Sequence, residues 1–186
     1  MRWIPDYSPK LIEERPEIDC SEYTSEIRAL GKGNILQLEQ ILTRARLPEI
    51  RRRIKPKTLI YSMYIKGIDK ILYDALTEDG WKVGFYSGDD KAGLDGFLNG
   101  DVDVLIGTSA IATGLDRLQL VCDQLIVNVL PWTAAEYEQL KGRIYRQEQA
   151  SEKVTVIIPT TFADVGGERW SWCESKSRRV KFKQSL

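Results

Sequence analysis

Histidine is absent from all 186 residues. That excludes His-dependent triads, imidazole general bases and His-ligated metals, leaving carboxylates, lysine, arginine, hydroxyls and backbone groups for any chemistry. Cysteine is scarce: Cys20, Cys122 and Cys173 lie far apart with no Cys-x-x-Cys pair. No disulfide or zinc framework is expected, and a reducing compartment is, cytoplasmic or, in a eukaryote, nuclear. No run of about 18 apolar residues exists, so no membrane span and no membrane partner is expected. The opening Met1-Arg2-Trp3-Ile4-Pro5-Asp6 lacks the apolar stretch of a signal peptide. Net charge is missing too: 27 Lys and Arg balance 27 Asp and Glu, so global charge implies no polyanion.

The composition that remains, 42% hydrophobic and 29% charged, is that of a soluble globular protein and excludes global disorder. At about 150 residues per domain, the length suggests one domain with appendages. Residues 1–30 carry seven acids against four bases, with Pro5, Pro9 and Pro16. Residues 1–33 therefore read as a loosely structured acidic lead-in, 34–160 as the folded domain, and 161–186 as a basic tail or brace. Arg44 to Lys57 holds seven basic residues and one acid, and Arg169 to Leu186 six and one. Such blocks are either solvated faces or nucleic-acid patches. Trp170 and Trp172 alternate with charge in the tail, where packing as a brace is favoured over base stacking.

Between these flanks, strand-like and helix-like segments alternate. Thr58–Ser62, Trp81–Tyr86, Val102–Thr108, Asp123–Leu130 and Val154–Ile158 read as buried strands. Asn34–Leu47, the stretch from Ile65 to Gly80, Asp90–Leu98 and Thr133–Tyr145 carry helical spacing. Continuous apolar strands joined by helix-length crossovers predict an α/β fold: a central, mostly parallel sheet with helices on both faces. Ligands in such sheets bind at the carboxyl ends of the strands. The informative loops are those after Ser62, Tyr86, Thr108, Leu130 and Ile158.

Two of these loops carry chemistry. Thr108-Ser-Ala-Ile-Ala-Thr-Gly114-Leu-Asp116 places small hydroxyls, then a glycine, then an acid at the mouth of the sheet. Gly114 lets backbone approach a ligand, and Asp116 can accept from a ribose hydroxyl. Taken alone, this is also an ordinary strand–turn–helix junction. Gln139-Leu-Lys-Gly142-Arg143-Ile-Tyr-Arg146-Gln147 puts two arginines three apart, expected on one helical stripe with Gln139 a turn earlier. Forked, permanently charged donors beside a glycine suit a phosphoryl group. The alternative is a solvent face paired with Glu136 and Glu138.

In combination, these segments resemble the second RecA-like lobe of superfamily 2 helicases, most closely the Swi/Snf-type DNA translocases. Thr58–Ser62 is similar to the family's motif IV strand, and Tyr86-Ser-Gly-Asp-Asp90 to its next strand-end loop. Thr108 to Asp116 resembles motif V, and Gln139-x-x-Gly-Arg-x-x-Arg146 resembles motif VI, with Gln147 continuing an Arg-x-x-Gln flavour. Cys122 to Trp132 sits between them as the family's strand ending in Pro-Trp does. The likeness covers roughly Ile35 to Pro159.

The resemblance implies a RecA-like three-layer fold and a role for each matched residue. Arg143 and Arg146 become arginine fingers for an ATP–Mg held mainly by a missing first lobe. Gly114, Asp116, Gln139 and Gly142 line the nucleotide. Ser62, Ser87, Thr108 and Ser109 contact the nucleic-acid backbone. The implied partners are an N-terminal RecA-like lobe and DNA, duplex and gripped without regard to sequence; this chain would ligate no metal. Tyr145-Arg146 replaces the family's His-Arg, Ile-Ala-Thr-Gly its Gly-Gly-x-Gly, and only Lys91 could stand in for a downstream arginine, so a divergent member is expected. No Gly-x-x-x-x-Gly-Lys-Ser/Thr loop exists in the sequence, so no appreciable ATPase is expected of this chain alone. Two rivals remain: an RNA helicase lobe of the DEAD-box type, whose motif VI opens with His-Arg where Gln139-Leu140 stands here, and a non-catalytic RecA-like interaction module.

Overall fold

Residues 58–62 are buried at every position, as a strand covered on both faces must be. The computed structural model describes residues 9–30, 33–87, 89–113, 115–165 and 168–172. In chain order its strands are β1 (Lys10–Glu14), β2 (Glu17–Asp19), β3 (Thr58–Ser62), β4 (Val83–Tyr86), β5 (Val104–Gly107), β6 (Gln124–Val129), β7 (Lys153–Ile157), β8 (Thr160–Val165) and β9 (Glu168–Trp172). Its helices are α1 (Thr24–Ala29), α2 (Ile35–Arg53), α3 (Ile68–Glu78), α4 (Ala92–Asn99), α5 (Ser109–Ala112) and α6 (Ala134–Lys141).

Six strands form one sheet in the order β1-β7-β6-β3-β5-β4, every pair parallel. Side-chain alternation sorts its residues onto two faces. Leu59, Tyr61, Leu105, Leu125 and Val127 pack with Leu94 and Phe97 of α4, Ile111 of α5 and Tyr137 and Leu140 of α6. Ile60, Ile106, Ile126 and Ile157 face Ile50 of α2 and Leu72 and Leu76 of α3. The fold is the expected α/β sandwich of RecA-like type.

Because α3 lies on one face and α5 on the other, the chain leaves the adjacent strands β3 and β5 in opposite directions. That opens a crevice at their carboxyl ends. Thr108 bridges its floor, its Oγ1 donating to Met63 O at 3.2 Å.

One glycine sets the packing at the sheet's edge. A Cβ on Gly93 of α4 would lie 2.7 Å from Phe85 N and closer still to Phe85 O. Both are backbone atoms of β4 and cannot swing aside. Gly93→Ala is therefore expected to cost at least about 1–3 kcal/mol, as overpacking does, read as a lowered denaturation midpoint; an unchanged midpoint would refute this close contact.

Three sequence expectations change. The lead-in is not loosely structured over residues 10–30. β1 extends the main sheet beside β7, and β2 joins β8 and β9 in a second sheet of three strands. Residues 10–19 run parallel to 153–162 as one ribbon, broken where Pro16 and Pro159 lie, with Ile158 N donating to Glu14 O and Thr160 N to Pro16 O. α2 continues through Pro48 to Arg53, because Ile50 and Ile54 bury against the sheet. The stretch expected to be helical to Tyr145 leaves the helix at Lys141. The far end of the expected tail, residues 173–186, lies outside the described residues, as do the side chains of Trp170 and Trp172.

Beneath the end of β6, the register with β3 slips between Tyr61 and Ser62, leaving Asn128 as an extra residue. Asn128 Nδ2 donates to Thr43 Oγ1 at 2.9 Å, and fully buried Arg46 donates to Asn128 O at 2.6 Å and Thr161 Oγ1 at 3.4 Å. Glu39 pairs with Arg46 at 3.3 Å. This polar network ties α2 to both sheets.

Candidate functional site

The loops after β3, β4, β5 and β6 leave the carboxyl rim, and the two chemistry-bearing segments meet where Arg143 reaches the Ala112–Leu115 turn. Arg143 is half-buried and anchored to the first of them. Its Nε donates to Ala112 O at 3.1 Å, its Nη2 to the same oxygen at 2.5 Å, and its Nη1 to Leu115 O at 3.1 Å. Three of the five guanidinium N–H groups are thus taken by carbonyls flanking position 114. Arg146 differs. It is exposed, and its one ion pair among the described residues is with Asp116, Nη1 to Oδ1 at 3.7 Å. The side chains keep 43% and 81% of their exposure, so solvent screens the pair and it holds Arg146 only weakly.

The two arginines do not share a helical stripe, because both stand beyond α6, in turns. The expectation failed because Tyr137, Leu140 and Ile144 keep apolar helical spacing across the helix end; all three are buried in one core. Gly142 is the helix's C-cap at φ −64°, a conformation open to any residue. Gln139 is exposed on the last turn of α6. Glu138, offered above as an arginine partner, pairs with Lys141 at 3.0 Å.

Of the residues assigned to a nucleic-acid backbone, Ser87 and Ser109 are exposed at the rim and Thr108 is half-buried. Ser62 does not join them. It is fully buried and its hydroxyl donates to Tyr64 O, so it has no face toward a ligand. Gly114 lies outside the described residues. Lys66 and Lys91, after β3 and β4, and Arg117, after β5, are exposed and make no ion pair among the described residues. Arg117 adopts φ +77°, a left-handed conformation that costs a non-glycine residue about 1–2 kcal/mol.

Every cation of the basic run Arg44–Lys57 has a partner within the fold. Arg44 pairs with Glu26, Arg46 with Glu39, Arg51 with Asp79, Arg52 with Glu49, Arg53 with Glu14 and Lys55 with Asp123. Lys57 Nζ donates to the carbonyls of Phe97 and Val102. Lys55 and Lys57 lie at the amino ends of the strands, opposite the rim.

Sequence reasoning missed Gln149. It is buried, and its Nε2 donates to Cys122 O at 2.9 Å and Ile144 O at 2.7 Å while its Oε1 accepts from Ser151 N at 3.0 Å. The signal was there: Arg-x-x-Gln counted from Arg146 falls on Gln149, not on exposed Gln147. No group of three or more Cys, Asp or Glu able to hold a metal exists among the described residues. Burial pushes the Cys122 thiol up to about 12, which removes it as a nucleophile. No described helix is long and apolar enough to cross a membrane.

The parallel α/β lobe thus brings together an anchored arginine, an exposed arginine and an exposed carboxylate. Residues 35–148 match the helicase conserved C-terminal domain, and the chain belongs to that family. No curated protein matches the chain. Among solved structures it is similar to the C-terminal domain of the DEAD-box protein Dbp5 (TM-score 0.58, 17% identity, 96% of this chain and 87% of that one). It is also similar to the yeast DEAD-box splicing factor Prp28 (TM-score 0.58, 17% identity, 87% and 31%). A looser likeness, carrying no weight, is to the C-terminal part of the Fun30 ATPase domain (TM-score 0.49, 18% identity, 76% and 48%). The chain thus spans less than half of the Fun30 and Prp28 structures, and these likenesses establish the fold alone.

Proposed function

We propose that this chain is the second motor lobe of an ATP-driven DNA translocase of the Swi/Snf kind. The observation that carries the reading is Arg146, an exposed guanidinium whose one ion pair among the described residues is the solvent-screened contact with Asp116. In this reading a first lobe holds ATP and Mg, and Arg146 reaches across the cleft to the terminal phosphate. There its forked charge stabilises the negative charge spread over the transferring oxygens. Asp116 accepts from the ribose and Gln139 lines the cleft. Arg143 keeps the Ala112–Leu115 turn in place and holds two N–H groups in reserve for phosphate. The residues present fit half of an ATP site: they offer cationic and hydrogen-bonding groups, and the sequence has no phosphate-cradling loop of its own.

Ser87, Thr108 and Ser109, with Lys66 and Lys91, which make no ion pair among the described residues, form the surface proposed to grip a nucleic-acid backbone. Those loops follow the neighbouring strands β4, β5 and β3, so the contacts run in a row along the rim. Such contacts carry no base readout. Gln139 in place of the His-Arg opening of motif VI favours DNA over RNA.

The test combines the chain with its first lobe and measures ATP turnover with duplex DNA, single-stranded RNA, or neither. Stimulation by duplex DNA, with no turnover by the chain alone, is expected. Stimulation by RNA only would move the chain to the RNA-helicase reading, and no turnover in any mixture would leave the interaction module. Lys66→Ala and Lys91→Ala should each weaken binding for all sequences alike and reduce the salt slope by about one.

A further inference from the structure

Arg143 to Glu148 belongs to no helix or strand, yet the finger proposed above must arrive at a fixed place. The segment's anchors lie at its two ends. At the start, Arg143 is bonded to the Ala112 and Leu115 carbonyls, and Ile144 is fully buried in the core. At the end, buried Gln149 joins the carbonyl of Cys122, just before β6, to that of Ile144, five residues back in the same segment. Its neighbour Ala150 adds a bond from its N–H to Gln119 O at 3.2 Å. Arg146 stands between these anchors.

The connection is tighter still. Gln149 N donates to Arg146 O at 3.4 Å, closing a turn whose first residue is Arg146 and whose last is Gln149. The third residue, Glu148, is held at φ +67°. A non-glycine residue stays left-handed only where its surroundings over-determine it. Here the surroundings are the three side-chain bonds of Gln149. Without them, Glu148 is free to return to negative φ, and the backbone of Arg146 moves with the turn.

We propose that Gln149 is a positioning residue: its buried side-chain amide locks the Arg146–Gln149 turn against the strand entering the sheet and so fixes where the Arg146 guanidinium meets the transferring phosphate. The inference rests on the reading of Arg146 as the finger, and the experiment separates the two.

Turnover and KM for ATP are measured in the assembled motor for wild type, Gln149→Leu, Arg146→Ala and the double variant, with DNA affinity alongside. A misplacement of about 1 Å can cost 10²-fold. Gln149→Leu is therefore expected to lower kcat by about 10- to 100-fold, with KM and DNA affinity within about twofold. Once Arg146 is gone, removing Gln149 should cost nothing more, because a residue that acts through the finger has nothing left to place. A double variant slower than Arg146→Ala by the full Gln149 factor would show a general structural role and overturn the proposal. So would full turnover of Gln149→Leu beside a crippled Arg146→Ala, which leaves the finger reading intact. Full turnover of Arg146→Ala would instead overturn the finger reading and this inference with it. Should Gln149→Leu fail to fold, Gln149→Asn keeps the amide but shortens its reach. It must reproduce the kcat loss and the non-additivity, and normal turnover in it counts against the proposal.

Discussion

Arg146→Ala in the assembled motor is expected to reduce ATP turnover by about 10³-fold or more, the scale on which arginine fingers act, while DNA affinity changes by less than about threefold. The asymmetry follows from where the side chain sits. Its pair with Asp116 joins two exposed groups at 3.7 Å, a contact worth about 1 kcal/mol at most. Leaving Asp116 therefore costs little beside the roughly 4 kcal/mol that a 10³-fold rate factor represents. No described fold contact other than that pair depends on the guanidinium, so the variant should retain the wild-type denaturation midpoint. Arg146→Lys keeps a charge but not the fork, and should recover only a small part of the lost rate. Steady-state kinetics over an ATP titration reads the turnover, DNA binding measured in parallel reads the affinity, and a thermal melt reads the midpoint. Turnover within about threefold of wild type in Arg146→Ala would remove the finger from this residue and return attention to the two N–H groups of Arg143 that its carbonyl partners leave over.

The layout of the sheet could be read from the sequence because its central strands are covered on both faces. A run such as Thr58–Ser62 has few other uses, and its predicted bounds agree with the structure. β1 was hidden because Lys10–Glu14 is a mixed edge segment. Its partner Lys153–Ile157 lies more than 130 residues away, and no local pattern announces so distant a pairing. The same distance defeats any reading of the basic run. Seven cations in fourteen residues look like a patch, but Glu14, Asp79 and Asp123 reach them from other elements, and sequence spacing does not show that. Ser62 failed for a local reason: its strand-end position suggested a rim hydroxyl, but the hydroxyl turns back onto Tyr64 O. Arg143 and Arg146 were legible as a pair, whereas their different circumstances were not. Those depend on which carbonyls the Ala112–Leu115 turn presents and on a helix that ends at Lys141.

Stability should respond most sharply at Arg46. This side chain is fully buried and serves three elements: Glu39 on its own helix at 3.3 Å, Asn128 O on β6 at 2.6 Å and Thr161 Oγ1 on β8 at 3.4 Å. Arg46→Ala removes the countercharge from Glu39, which is itself 4% exposed. It also takes a partner from two other polar groups and leaves a large void. Breaking a buried pair from one side costs about 3–5 kcal/mol, against about 5–15 kcal/mol for a whole domain. At about 2–4 °C per kcal/mol for a chain of this length, Tm should fall by roughly 6–20 °C. Arg46→Lys should not rescue it, since Asn128 and Thr161 are served by different arms of the fork and a single ammonium cannot match that geometry. The informative companion is Glu39→Leu with Arg46→Met, which replaces both charges by apolar volume. If the penalty of Arg46→Ala comes chiefly from the stranded carboxylate, the double variant should melt close to wild type or above it. If it comes instead from the bonds to Asn128 and Thr161 that join the second sheet to α2, the double variant should melt as low as Arg46→Ala. Thermal melts of the three variants separate these causes, and a loss under about 1 kcal/mol in Arg46→Ala would refute both.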